Sequence, residues 1–304
     1  MNQEAIAALL QKIENTETGA GSARVKTVVN RIVRDLFQAI DDLDVQPEEF
    51  WSAVNYLTEA GRHGEFGLIA AGLGFEHFLD LRMDEAEAAQ GVSGGTPRTI
   101  EGPLYVAGAP ESVGSARLDQ DPQPGEVLFM QGQVRDHAGQ PVANALVEVW
   151  HANHLGGYSF FDATQSPFNL RRSIRTGADG RYRFRSRVPV GYSVPPGGST
   201  EQLLQQLGRH GTRPAHIHFF VSAPGQRKLT TQINIDGDPY LWDDFAFATR
   251  AGLVPPVIRV DDPAALQEHD VDAPFYSITF DFDLHAEQAG LPQDEIVRAH
   301  LTVG

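Results

Sequence analysis

The period of the apolar residues changes once along this chain, and that change constrains the fold more than any other feature. From Val25 they fall at Val25, Val28, Val29, Ile32, Val33, Leu36, Phe37, Ile40 and Leu43, the three-four spacing of one helix face. The opening MNQEAIAALLQKIENTETG reads as another amphipathic helix, because acids interrupt its apolar stretch and it lacks the basic segment of a secretion signal. Pro47 opens a further helix, with Glu48 and Glu49 in its first turn, where they suit the helix dipole. A segment from Gly64 to Asp84 completes the helical region, and QGVSGGTPR at 90–98 then breaks all periodicity.

Beyond that break the period is two. Tyr182 and Phe184 stand against Arg181, Arg183 and Arg185, and Ile278, Phe280, Phe282 and Leu284 alternate near the end. Asp179-Gly180 suits a type I′ hairpin turn, and His137-Ala-Gly-Gln-Pro separates strand-like runs at 126–134 and 145–151. Ser199 to His210 reads as a short helix with Ser199 and Gln202 as a capping pair, inserted before a strand at 215–221. The expected fold is mainly β with α. An antiparallel β-sandwich catalytic domain over 96–304, with the inserted helix near 199–210, follows a helical domain over 1–95.

Composition narrows the chemistry. Among 304 residues there is no cysteine, which removes disulfides, thiolate metal sites and cysteine nucleophiles, and suits a cytoplasmic location. The 24 basic residues against 40 acidic ones leave a net charge of −16, which disfavours nucleic acid and anionic membranes as partners. The longest apolar run, Phe66 to Phe75, is about half the length of a membrane span.

In Arg213-Pro-Ala-His-Ile-His, His216 and His218 are two apart in a strand-like run, so both imidazoles share one face and Ile217 takes the other. The pair alone leaves a metal site and an ordinary hydrogen-bonded core both open. No cupin glutamate follows it, and neither an H-E-x-x-H helix nor a local H-x-[DE] iron triad occurs. Two of the seven tyrosines, Tyr158 and Tyr192, lie in glycine-rich turns, where packing and coordination are both open.

The blocks GPLYVAGAP (102–110), VEVWHANHLGGYSFFD (147–162), LRRSIRTGADGRYRFRSRVPVGYSVPP (170–196) and RPAHIHFFVSAPGQRKLTTQINIDGDPYLWDDFAFATR (213–250) resemble the intradiol ring-cleaving dioxygenases, in their catechol-cleaving branch. The resemblance implies one non-haem Fe(III) per subunit held by Tyr158, Tyr192, His216 and His218. Phenolates are hard anionic donors, and two of them suit a trivalent ion better than imidazoles alone would. It implies cleavage of catechol by O2 to cis,cis-muconate, in aromatic-compound catabolism through the β-ketoadipate pathway. Tyr192 would leave the metal to take a substrate proton, Arg213 would stabilise carbanion-like charge on the ring, and Gln232 would bond near the substrate. The substrate walls map to Leu68, Ala71, Ile100, Pro103, Phe245 and Ala246. Proline is frequent in the family where this chain has Ala71, so the pocket there is expected to differ in shape. The family also implies a homodimer through the N-terminal helices, with phospholipid or fatty acid at the interface.

Rival readings stay in view. Hydroxyquinol and chlorocatechol dioxygenases share the ligand set. A non-catalytic β-sandwich binding module would use the same tyrosines and histidines as packing. Gly91-Val-Ser-Gly-Gly95 matches the hydrolase G-x-S-x-G, but it follows a helix and precedes Thr-Pro, the context of a linker.

Overall fold

The structure, a computed structural model, describes residues 3–122, 124–290 and 301–302. Positions 1–2, 123, 291–300 and 303–304, assigned above to the opening helix and the sandwich, lie outside the described residues. Two compact units form, Met1–Arg62 and His63–Gly304.

The first unit is α1 (Gln3–Glu14), α2 (Ala23–Asp42) and α3 (Pro47–Arg62). Ser22 caps α2 by accepting the Val25 N–H at 3.4 Å, and Glu49 in the first turn of α3 reaches back to the Gln46 N–H at 2.9 Å. No residue of α2 is buried, although Val25, Val28, Val29, Ile32 and Leu36 line one side of it.

The second unit begins with α4 (Phe66–Gly72) and α5 (Phe75–Ala88), two helices where the sequence suggests one. Gly74, at φ 80°, is a left-handed break between them. There follow β1 (Val106–Ala107), β2 (Glu111–Val113), β3 (Ser115–Arg117), β4 (Val127–Asp136), β5 (Leu146–His151), β6 (Arg171–Arg175), β7 (Arg181–Arg187) and β8 (Tyr192–Ser193). Then come α6 (Ser199–Gln206), β9 (Thr212–Arg213), β10 (His216–Ala223), β11 (Gln226–Asn234) and β12 (Ile258–Val260). The last are α7 (Pro263–Glu268), β13 (Phe275–Thr279), β14 (Phe282–Leu284) and β15 (Leu301–Thr302). One sheet runs β11-β10-β5-β6-β2, and the other runs β12-β13-β4-β7-β3 with β14 also on β4.

The sheets pack face to face. Val149, Ile217, Phe219 and Ile233 of the first meet Met130, Phe184, Ile278 and Phe282 of the second in one buried core. Phe219 sits 5.0 Å from Phe282 between ring centroids. The sandwich is therefore present, but its sheets are mixed rather than antiparallel. β2 on β6, β3 on β7, and both β13 and β14 on β4 are parallel. Parallel neighbours cannot be joined by a tight hairpin, so each of these strands is paired with one that is not its hairpin partner in sequence.

Asp179-Gly180 is a crossing between the sheets and not a hairpin. β6 lies in the first sheet and β7 in the second, and Asp179 lacks the positive φ that a type I′ turn needs. The run from Ile278 to Leu284 also divides, into β13 and β14. The Phe280 carbonyl folds against Gly132 of β4, where an added Cβ would lie 1.6 Å from that oxygen, so only glycine fits. The Ser199–Gln202 capping pair does not form either. The Glu65 carboxylate caps α6 instead, accepting the Ser199 and Thr200 N–H groups at 3.2 and 2.8 Å and the Thr200 hydroxyl at 2.7 Å. The G-x-S-x-G segment is a linker after α5, with Ser93 exposed.

Candidate active site and metal centre

β10 is buried on both faces, which lets one strand serve two purposes. Ile217, Phe219 and Val221 enter the sandwich core, while His216 and His218 face the other way. Opposite His218 stand Trp150 of β5 and Gln232 of β11, and the indole stacks on the imidazole at 4.9 Å with planes 4° apart. The two Nε2 atoms lie 3.0 Å apart.

Tyr158 arrives on the loop after β5. Asn153 shapes that loop by accepting the Leu155 and Gly157 N–H groups, each at 2.9 Å. Buried Arg171 fixes the next residue, donating to the Ser159 hydroxyl at 2.8 Å and its carbonyl at 3.0 Å. The Tyr158 hydroxyl donates to His216 Nε2 at 3.5 Å. Tyr192 arrives on β8, whose short ladder with β9 sets it directly opposite Arg213. Its ring is edge-on to Tyr158 at 5.4 Å. Gly156, at φ 82°, makes room: an added Cβ would come within 2.8 Å of the Tyr192 Cβ.

Arg213 is 4% exposed and held from three sides. It donates to Gln232 Oε1 at 2.7 Å, to the two Asp244 oxygens at 3.3 and 3.1 Å, and its Nη1 lies 3.1 Å from His216 Nε2. Asp244 also accepts the Ala246 and Ala248 N–H groups at 3.0 and 3.3 Å. One carboxylate thus ties the arginine to the loop bearing Phe245 and Ala246.

The cavity in front of the tyrosines has a volume of about 220 Å³, sized for one small ring rather than an extended ligand. Leu68, Ala71, Ile100, Pro103, Phe245 and Ala246 all line it, and Tyr158, Tyr192 and Arg213 supply its polar side. His216, His218 and Gln232 are not among the lining residues and stand behind those groups.

Electrostatics fit a metal better than a simple hydrogen-bonded cluster. Burial, with the neighbouring Arg213, pushes His216 down to about 3, and burial with His216 pushes His218 well below its ordinary value. Both rings are therefore neutral. The His216 Nδ1–H is engaged by the Pro214 carbonyl at 2.6 Å, which leaves the Nε2 lone pair facing inward. His218 Nδ1 has no hydrogen-bond partner, which leaves a buried ring nitrogen unsatisfied. Burial and then Tyr192 raise the Tyr158 phenol well above its ordinary value, so a nearby cation is what would make it a phenolate. Two phenols and two neutral imidazoles converging this closely fit a hard trivalent ion.

Of the neighbouring residues, His151 bonds locally, to the Ala152 carbonyl and the Ser186 hydroxyl at 2.7 Å each, and Glu148 accepts the Tyr105 hydroxyl at 2.6 Å. Asp244, Trp150, Arg171 and Asn153 are functional neighbours that the sequence did not single out. Asp243 and Asp244 are adjacent acids, yet their side chains are 78% and 1% exposed. Nothing in the local pattern separates them.

Residues 100–286 match the family model described as dioxygenase, and residues 22–91 match that of the catechol dioxygenase N terminus. The chain belongs to the intradiol ring-cleaving dioxygenases. Its relatives place it among the catechol 1,2-dioxygenases of that family. Catechol 1,2-dioxygenase 2 of Acinetobacter lwoffii is 74% identical over 86% of this chain and 95% of its own length. Catechol 1,2-dioxygenase of Acinetobacter guillouiae is 54% identical, covering 98% of each chain. The crystal structure of wild-type Acinetobacter radioresistens catechol 1,2 dioxygenase superposes with a TM-score of 0.96 at 54% identity, covering 100% of this chain and 99% of that one. Membership implies a non-haem iron cofactor. Among the described residues no helix is long and apolar enough to cross a membrane.

Proposed function

We propose that this chain cleaves catechol between its two hydroxylated carbons with O2, giving cis,cis-muconate, at one Fe(III) per subunit held by Tyr158, Tyr192, His216 and His218. The observation that carries the reading is the convergence of two phenols and two neutral imidazoles at one side of a ring-sized apolar cavity. Bound there, ferric iron supplies the Lewis acidity that acidifies catechol and makes its ring carbon reactive toward O2.

The protein's own groups do the rest. The six apolar walls orient one ring and exclude water. Tyr192, less buried than Tyr158, would be a phenolate when iron is bound, and its phenolate oxygen would accept a substrate phenolic proton. Tyr158, His216 and His218 would hold the metal throughout. Arg213 presents a permanent positive charge to the cavity, stabilising carbanion-like density on the ring in a largely dry site. Gln232 keeps that guanidinium in place.

The same reading extends to the whole protein. Segment 1–95 supplies the dimerisation helices, its α4 also giving Leu68 and Ala71 to the cavity, and 96–304 is the catalytic domain of a homodimer, with phospholipid or fatty acid against the N-terminal helices. The uncovered apolar side of α2 supports this. The setting is cytoplasmic catabolism of aromatic compounds through the β-ketoadipate pathway. Iron analysis with a visible spectrum, anaerobic addition of catechol and then air tests the reading. Stoichiometric iron, a phenolate charge-transfer band that shifts on catechol, and muconate on aeration are expected. An iron-loaded, folded protein without that band removes the tyrosines as ligands. Faster turnover of hydroxyquinol or 4-chlorocatechol reassigns the substrate.

A further inference from the structure

β7 reads Arg-Tyr-Arg-Phe-Arg-Ser-Arg, and its alternation sends Tyr182, Phe184 and Ser186 inward while Arg181, Arg183, Arg185 and Arg187 share the outer face of the second sheet. Arg117 of β3 is the register partner of Arg185 and adds a fifth guanidinium. Such a row is unexpected in a chain of net charge −16. Its neutralisation is incomplete. Arg117, Arg185 and Arg187 all turn to one carboxylate, Asp119, at 3.1, 3.6 and 3.2 Å, and Asp119 is 2% exposed. Among the described residues Arg183 makes no ion pair.

Above this row lies a cavity of about 370 Å³, on the opposite sheet from the metal-site strand β10. Arg183 and Arg185 line it beside Ser115, Gln131 and Ser277, which offer neutral donors. The Phe129 ring forms part of the floor, with the Arg185 guanidinium 6.0 Å from its centroid. His269, lodged 4.4 Å from Phe129, and Glu268 close the side toward α7. Glu268 is the one carboxylate among the lining residues, and it is exposed.

We propose that this cavity is a second binding site, for a small dicarboxylate dianion. Arg183 and Arg185 are two residues apart on one strand face, so their Cα atoms are about 7 Å apart, a spacing at which each can take one end of a short, extended diacid. The hydroxyls and the Gln131 amide satisfy remaining carboxylate lone pairs, and the Phe129 face accommodates an unsaturated, flat spacer. Buried Asp119 holds Arg185 in place without matching the charge around it. The choice of muconate as occupant rests on the reading given above, which puts that dianion beside the protein as product. The site would sense product without touching the catalytic cavity.

Isothermal titration of the iron-loaded protein with cis,cis-muconate, and separately with inorganic phosphate, tests this. Purified muconate is added rather than generated, so the result stands apart from any failure to turn over catechol. Arg183→Gln, at an exposed residue outside the active site, is expected to weaken one class of muconate sites roughly tenfold or more, with kcat and KM for catechol unchanged. Glu268→Gln, which removes the opposing charge, is expected to tighten the same sites several-fold. Muconate binding identical in wild type and both variants overturns the proposal. Phosphate binding as tightly as muconate, with the same response to Arg183→Gln, overturns the dicarboxylate assignment.

Discussion

Two single positions decide how well the active site is held. Asp244 bonds both Arg213 and the backbone of the loop bearing Phe245 and Ala246. Burial alone would raise its pKa, but Arg213 holds the carboxyl below the usual range, so it is an anion in service. Asp244→Asn keeps the shape and removes the charge. We expect kcat to fall about 10–100-fold, the usual loss for a supporting contact, with the phenolate band and iron content retained. A parallel loss of iron would mean that Asp244 holds the metal site rather than the arginine. Gly156 acts through space instead of charge. Gly156→Ala presses on Tyr192, and a displacement near 1 Å is expected to cost up to ~100-fold in turnover and to move the visible band. An unchanged spectrum would show that Tyr192 adapts. The proposed ligands were legible through the family resemblance of the blocks that carry them; strand alternation put His216 and His218 on one face, but the glycine-rich turns alone left Tyr158 and Tyr192 open between packing and coordination. Asp244 was not, since its burial comes from the fold of residues 213–248 and its neighbour Asp243 has identical chemistry.

Among the elements, α6 is short and depends on a distant residue for its start. Burial alone would raise the pKa of Glu65, but the bonds from Thr200 and Ser199 outweigh it and bring the carboxyl below its usual range. Its contribution is therefore complete above the ordinary glutamate value of ~4.3 and is lost as pH falls through the lower folded value. Glu65→Ala should cost about 1–2 kcal/mol at neutral pH, measured by denaturant unfolding, and that difference should shrink toward pH 3. A gap between variant and wild type that persists at low pH would place the effect elsewhere. The element pattern also marks where sequence reading stops. Helices α2 and α3 and strands β4, β5 and β10 follow directly from period and capping. Strand partners do not. Asp179-Gly180 looks like a hairpin locally, and only the two-sheet layout of β6 and β7 makes it a crossing. The parallel pairs on β4 and the cap from Glu65 arise from residues far apart in the chain, which no window of local pattern contains.

On the scale of the whole molecule, α2 keeps an apolar side and has no buried residue. We expect a dimer by light scattering, and Ile32→Glu with Leu36→Glu to yield monomers that retain iron and absorb as the parent does. Dimers that survive both charges would exclude that face. Removal of iron by a reductant and chelator should abolish ring cleavage and lower Tm together, because ligands stabilise the state that binds them. The paired histidines and the cavity walls come from different parts of the second unit. Two histidines are locked into a strand packed on both sides, whereas the six apolar residues that line the cavity come from α4 and from chain segments at 100–103 and 245–246. Descendants of this scaffold can therefore trade one aromatic diet for another by editing side chains that no sheet depends on, while the oxidising centre is inherited untouched.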